Sequence, residues 1–119
     1  MKRRALALVL ACACPAAFAA PDVAAQREIE GLMQVLEQSG CRFQRNGSWH
    51  DAAEAHRHLQ RKHDYLRKRN LAANAEQFIE RAASRSSVSG KAYRVACPGQ
   101  AEQDAASWFN QQLARLRGR

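Results

Sequence analysis

Two stretches decide the fold: Cys41-Arg42-Phe43-Gln44-Arg45-Asn46 and Ala92-Tyr93-Arg94-Val95-Ala96-Cys97. Each alternates with period two, the pattern of a half-buried β-strand, with Cys41 and Phe43 on one face of the first and Tyr93, Val95 and Cys97 on one face of the second. Laid antiparallel, Cys41 faces Cys97, Phe43 faces Val95 and Arg45 faces Tyr93, so one register satisfies all three pairs. A slip of one residue would turn every apolar side chain to the wrong face, so the pattern and the cysteine pair support each other. Two strands alone are marginal, and helices must cover one face. The expectation is a small, helix-rich α+β domain: about four helices packed on a two-stranded antiparallel sheet, with strands near 41–46 and 92–97.

The flanking segments supply those helices. Ala25, Ile29, Leu32, Met33 and Leu36 recur at three-to-four spacing behind Asp22, which can cap a helix that Ser39-Gly40 ends. Asn46-Gly47 suits a hairpin, but Ser48-Trp49-His50-Asp51 reads as a capping box, so a second helix is expected over 49–69. Its stripe is Ala52, Ala55, Leu59 and Leu66, with His56 and His63 along one margin, His58 and Lys62 along the other, and Arg57, Arg61 and Lys68 toward solvent. Asn74 with Gln77 caps a short third helix burying Phe78, Ile79, Ala82 and Ala83. Residues 84–91 read as a flexible loop, and a last helix over 102–116 buries Ala105, Phe109, Leu113 and Leu116 beside Trp108.

The first residues carry an export signal. Lys2-Arg3-Arg4, an apolar run from Ala5 to Ala17 and Ala17-Phe18-Ala19 match a signal peptide over 1–19 cleaved after Ala19, leaving one domain over 20–119 and a periplasmic location. The alternative use of the same leader is lipid attachment at Cys12 or Cys14. The formal charge of +8 comes from 19 Lys and Arg against 11 Asp and Glu; losing Lys2, Arg3 and Arg4 leaves 16 against 11, or +5. Two of the four cysteines leave with the leader, and Cys41 and Cys97 remain in an oxidising compartment, where a disulfide is expected over two buried thiols. Closing that loop is worth about 4 kcal/mol in the chain-entropy model. No apolar run beyond the leader approaches the roughly 20 residues that span a bilayer, so no transmembrane span is expected. The basic residues are interleaved with acids and the chain leaves the cytoplasm, which argues against a nucleic-acid partner.

Three constellations could carry chemistry. Glu54 and His58 at i and i+4 have metal-ligand spacing, but three or four converging ligands and H-E-x-x-H are lacking, so neither a metal nor a cofactor is expected. Ser86, Ser87 and Ser89 near His58 and Lys62 could supply a nucleophile, though G-x-S-x-G and S-x-x-K are absent and serines beside a glycine usually bond the local backbone. The same residues form a polar surface that a partner could contact.

Arg45-Asn46-Gly47, A-x-x-H-L-x-x-K from Ala55 to Lys62, Ala75-Glu76-Gln77-Phe78-Ile79, S-S-x-S-G-K-x-Y from Ser86 to Tyr93, and Trp108-Phe109 occur in order. Together they resemble the YfeK-like family, small exported proteobacterial proteins with a domain of unknown function, over 25–116. The resemblance implies an envelope location and no established activity, cofactor or catalytic residue. It singles out Asn46, His58, Lys62, Ser87, Ser89, Gly90 and Tyr93, to which Lys91 is added from the same loop. A shorter segment, Ser89-Gly90-Lys91-Ala92-Tyr93, looks like the S-G-x-x-Y loop of periplasmic lysozyme inhibitors; those are β-rich, and a +5 chain would be repelled by a basic lysozyme. The expectation is a non-enzymatic module binding an envelope protein or cell-wall component through the Ser86–Tyr93 loop and the His58/Lys62 margin, with a small hydrolase using the same serines as the alternative.

Overall fold

The computed structural model describes residues 22–118; the leader, with Cys12, Cys14 and the Ala19 cleavage point, lies outside the described residues. Helix α1, Val23–Gln38, starts where Asp22 accepts from the Ala24 N–H and buries the apolar stripe read from its spacing. Strand β1, Arg42–Arg45, leads into β2, Ser48–His50; α2 is Ala52–Arg67 and α3 is Ala75–Phe78, prolonged by a π-helical turn, Ile79–Ala83. Strand β3, Arg94–Ala96, β4, Gln103–Asp104, and α4, Ala105–Leu116, complete the order.

The α+β architecture stands, with a larger sheet than expected: four antiparallel strands ordered β2-β1-β3-β4. The central register is the one the alternation demands, since Phe43 pairs with Val95, flanked by Arg42 with Ala96 and Gln44 with Arg94. Cys41 and Cys97 form the disulfide just beyond that ladder, with Cα atoms 4.2 Å apart.

The two extra strands correct the sequence reading. Asn46 and Gly47 both take positive φ, 50° and 82°, as a two-residue hairpin turn requires, so residues 48–50 return beside β1 instead of opening a helix. The helix start lies three residues later: Asp51 is the N-cap and accepts from the Glu54 N–H at 2.8 Å, so Asp51-Ala-Ala-Glu54 is the true capping sequence. Likewise 103–104 pair with β3 before α4 begins, and Leu116 is half exposed instead of buried. The far end of α2 stops at Arg67 because Asn70 turns left-handed and the Leu71 N–H closes back onto the Leu66 carbonyl.

Few aromatics are present, and four of them meet between the sheet and the helices. Phe43 and Phe109 each pack edge-on or tilted against Trp108 or one another, and Phe78 meets Phe109 at 6.4 Å. All four are buried, and their burial stabilises the packing of helices on the sheet. Around this core, α2 lies across the face of β1 that carries Phe43, with its His58/Lys62 margin toward β3. Arg117, just past α4, makes two hydrogen bonds to Glu28 at 2.6 and 2.8 Å and one to Glu76 at 2.5 Å, tying the chain end to α1 and α3.

Candidate functional site

Arg45 is an arginine at an inward position of a half-buried strand, and that anomaly organises the site. Its guanidinium meets His58 Nδ1 on α2. A guanidinium only donates, so Nδ1 is the acceptor and the ring proton sits on Nε2, which donates to the Tyr93 hydroxyl at 3.1 Å. Lys62, one turn further along α2, donates to the same hydroxyl and to the Arg85 carbonyl, both at 3.0 Å, and its ammonium lies 4.8 Å from the Tyr93 ring centre. With both lone pairs of the phenol oxygen taken, the hydroxyl proton is free to be donated elsewhere.

The electrostatics follow from crowding. His58 is pushed down to about 4 by burial and then by the neighbouring charges of Arg45, Lys62 and Arg61, with His50 a smaller contributor. Lys62 is pushed down to about 8 by burial, then by Arg45 and Arg85. Burial raises the Tyr93 phenol, with Arg45 pulling the other way, so it stays protonated at neutral pH. Among the described residues no carboxylate lies within ion-pair distance of Arg45 or Lys62.

A cavity of about 210 Å³ opens between α2 and the sheet beside this cluster. Buried Phe43, Leu59 and Phe109, with Ala55, Ala83 and Ala105, form its apolar interior. Arg45, His58 and Tyr93 border it, and the exposed Arg57 and Arg61 stand at its mouth with His50 and Glu54. Arg57 and Arg61 were expected on the solvent face; they are exposed, yet they rim an opening. The Ala83 wall belongs to the π-helical turn, where Ser84 Oγ donates back to the Ile79 carbonyl at 2.6 Å.

The serine loop sits on the other side of Asn46, and it is a tight turn, not a flexible loop. The Ser86 N–H donates to the Lys91 carbonyl and the Gly90 N–H to the Ser86 carbonyl, and Arg85 bridges Ala92. Ser86 Oγ accepts from the Val88 and Ser89 N–H groups and from Asn46 Nδ2, while Ser89 Oγ donates to Asn46 Oδ1 at 2.5 Å. Gly90 takes φ 73°, which a side chain would resist. Ser87 and Lys91 are exposed, and Lys91 joins the network through its backbone. At the tip Val88 is 96% exposed.

Of the residues singled out from sequence, His58 and Tyr93 therefore border the cavity, Lys62 stands behind Tyr93, and Asn46 ties Arg45's strand to Ser86 and Ser89. Ser87, Gly90 and Lys91 shape or decorate the turn without entering the cluster. Arg45 was missed as a site residue although its register opposite Tyr93 was legible. Glu54 pairs with His50 at 2.7 Å and not with His58, and no group of three or more His, Cys, Asp or Glu side chains suited to a metal occurs among the described residues. The other margin histidine, His63, is buried edge-on against Phe78, with Nε2 lacking a hydrogen-bond partner and burial lowering its pKa.

Fold and site together define a small disulfide-bonded α+β domain with a cation-rimmed cavity between its second helix and its sheet. The chain belongs to DUF5329, a family of unknown function, whose match covers residues 23–117. No curated protein and no solved structure matches it. No helix among the described residues is long and apolar enough to cross a membrane.

Proposed function

We propose that this is a non-enzymatic binding module whose site is the Arg45–His58–Lys62–Tyr93 cluster with the Asn46–Ser86–Ser89 turn beside it. The group it receives is an anion on an envelope protein or cell-wall component. One observation carries the reading: two cations and an imidazole crowd one phenol at the edge of a cavity, with no carboxylate among the described residues within ion-pair distance of Arg45 or Lys62. An anion would relieve that repulsion and accept the spare Tyr93 proton. Signal-peptide cleavage after Ala19, periplasmic location and YfeK-like membership belong to the same proposal, supported by the leader pattern, the ordered motifs and the Cys41–Cys97 disulfide.

The hydrolase alternative finds less support. A serine nucleophile needs a base on its hydroxyl, and both ring nitrogens of His58 face Arg45 and Tyr93 instead. The Ser86 and Ser89 hydroxyls are engaged by backbone N–H groups and Asn46. The lysozyme-inhibitor comparison rests on Ser89–Tyr93, a turn whose Ser89 hydroxyl is likewise engaged internally.

Titrating the protein with inorganic phosphate under amide NMR tests the binding reading. Expected are shifts centred on Arg45, His58, Lys62 and Tyr93 that weaken as salt rises. Shifts spread evenly over the surface arginines, or none, would overturn it. Ser89→Ala should change phosphate affinity less than about threefold, whereas a nucleophile's loss would abolish turnover.

A further inference from the structure

We propose that the ligand group is a carboxylate carried on a small apolar body, the carboxylate seated at Arg45 and Tyr93 and the apolar body in the pocket lined by Phe43, Leu59 and Phe109. This deepens the anion-binding reading and rests on it. Three features of the cavity narrow the chemistry.

The first is the division of its walls. The Phe43, Leu59 and Phe109 side chains that line it carry no polar atom, so a bare hydrated anion gains nothing from the interior. An apolar body that fills it gains the ordinary transfer free energy of its buried surface. The second is charge. The border and mouth bring three arginines, Arg45, Arg57 and Arg61, against one carboxylate, Glu54, which is already paired with His50. A cationic or zwitterionic head would meet repulsion there. The third is size. A volume of about 210 Å³ exceeds the roughly 150 Å³ that accommodates a benzene ring, and falls short of the roughly 300 Å³ at which pockets for larger molecules begin. The occupant is therefore one ring, or a chain of about six carbons, with its head group outside the apolar part.

The head-group chemistry is set by the donors. Arg45 presents a planar fork suited to a carboxylate, and the Tyr93 hydroxyl adds a neutral donor whose own oxygen is already saturated by His58 and Lys62. The source of such a group can be a free organic acid or the C-terminal carboxylate of a peptide with an apolar last residue. The chemistry is shared, and the test separates the two.

Isothermal titration of the intact mature protein uses hexanoate, hexanol, hexylamine, N-acetyl-alanyl-phenylalanine, its C-terminal amide and inorganic phosphate. Hexanoate is expected to bind at least tenfold more tightly than hexanol and than phosphate, with no detectable hexylamine binding. If N-acetyl-alanyl-phenylalanine binds more tightly than hexanoate and its amide does not bind, the same chemistry is assigned to a peptide terminus. Leu59→Phe, which fills the pocket, should lower hexanoate affinity at least tenfold; unchanged hexanoate affinity in the folded variant would overturn the apolar-body proposal. Phosphate binding equal to or tighter than both carboxylates would overturn the apolar-body proposal and leave anion binding intact. Equal binding of hexanol and hexanoate would overturn the carboxylate assignment. Absence of binding by all six compounds would overturn both readings together.

Discussion

Two clusters of charge in this molecule are built on opposite principles. At the chain end, Arg117 lies between Glu28 and Glu76 and its guanidinium is held well above its ordinary pKa by hydrogen bonds to those two carboxylates. At the cavity, Arg45, Lys62 and His58 face one another across Tyr93, and both titratable partners are pushed toward neutrality. The first is a clamp: opposite charges meet, and the helices they join are held together. The second has no opposing carboxylate among the described residues, and on the proposed reading an anion supplies the counter-charge.

The largest effect should come from giving the second cluster what the first already has. Arg45→Glu places a carboxylate among Lys62, His58 and Tyr93. Phosphate affinity is expected to fall at least 100-fold in the NMR titration while thermal unfolding stays cooperative; retained affinity would break the contrast. The converse change is smaller and of another kind. Arg117→Met removes the hydrogen bonds to Glu28 and Glu76 and should cost about 1 kcal/mol in urea unfolding, with ligand affinity unchanged.

A subtler difference lies in the pH dependence of stability. Between about 4 and 6.5 the unfolded chain holds a proton on His58 that the native chain does not, because the native value is lowered to about 4 from the ordinary 6.5. The His58 contribution to stability should therefore decline as pH falls from about 6.5 and level off below about 4. His63, also lowered by burial, acts in the same direction from the opposite margin of α2. His58→Gln should flatten part of that slope in urea midpoints measured from pH 7 to 4, leaving the share due to His63. An unchanged slope would assign all of it to the buried histidine.

How much of this was legible follows from element length and from which face a residue uses. The β1–β3 register was readable because alternation over six residues leaves one register open, and Cys41 and Cys97 fall in it. Strands β2 and β4 were not, since three and two residues are too short to show a period. Ser48 also mimics a helix cap three residues before Asp51, which is the real one. The His58/Lys62 margin was visible on the helical wheel, and Tyr93 in the strand. Arg57 and Arg61 were hidden because a wheel assigns them to solvent, and only the placement of α2 over the sheet turns that side into the rim of a cavity. The π-helical turn that supplies Ala83 has no sequence signature that periodicity reveals.

The most direct measurement is the titration of the His58 ring by NMR, without and with phosphate. The expected midpoint is near 4 in the free protein, with the proton on Nε2 at neutral pH, and it rises when phosphate is added. A midpoint near 6.5 that ignores the anion would contradict the anion-binding reading.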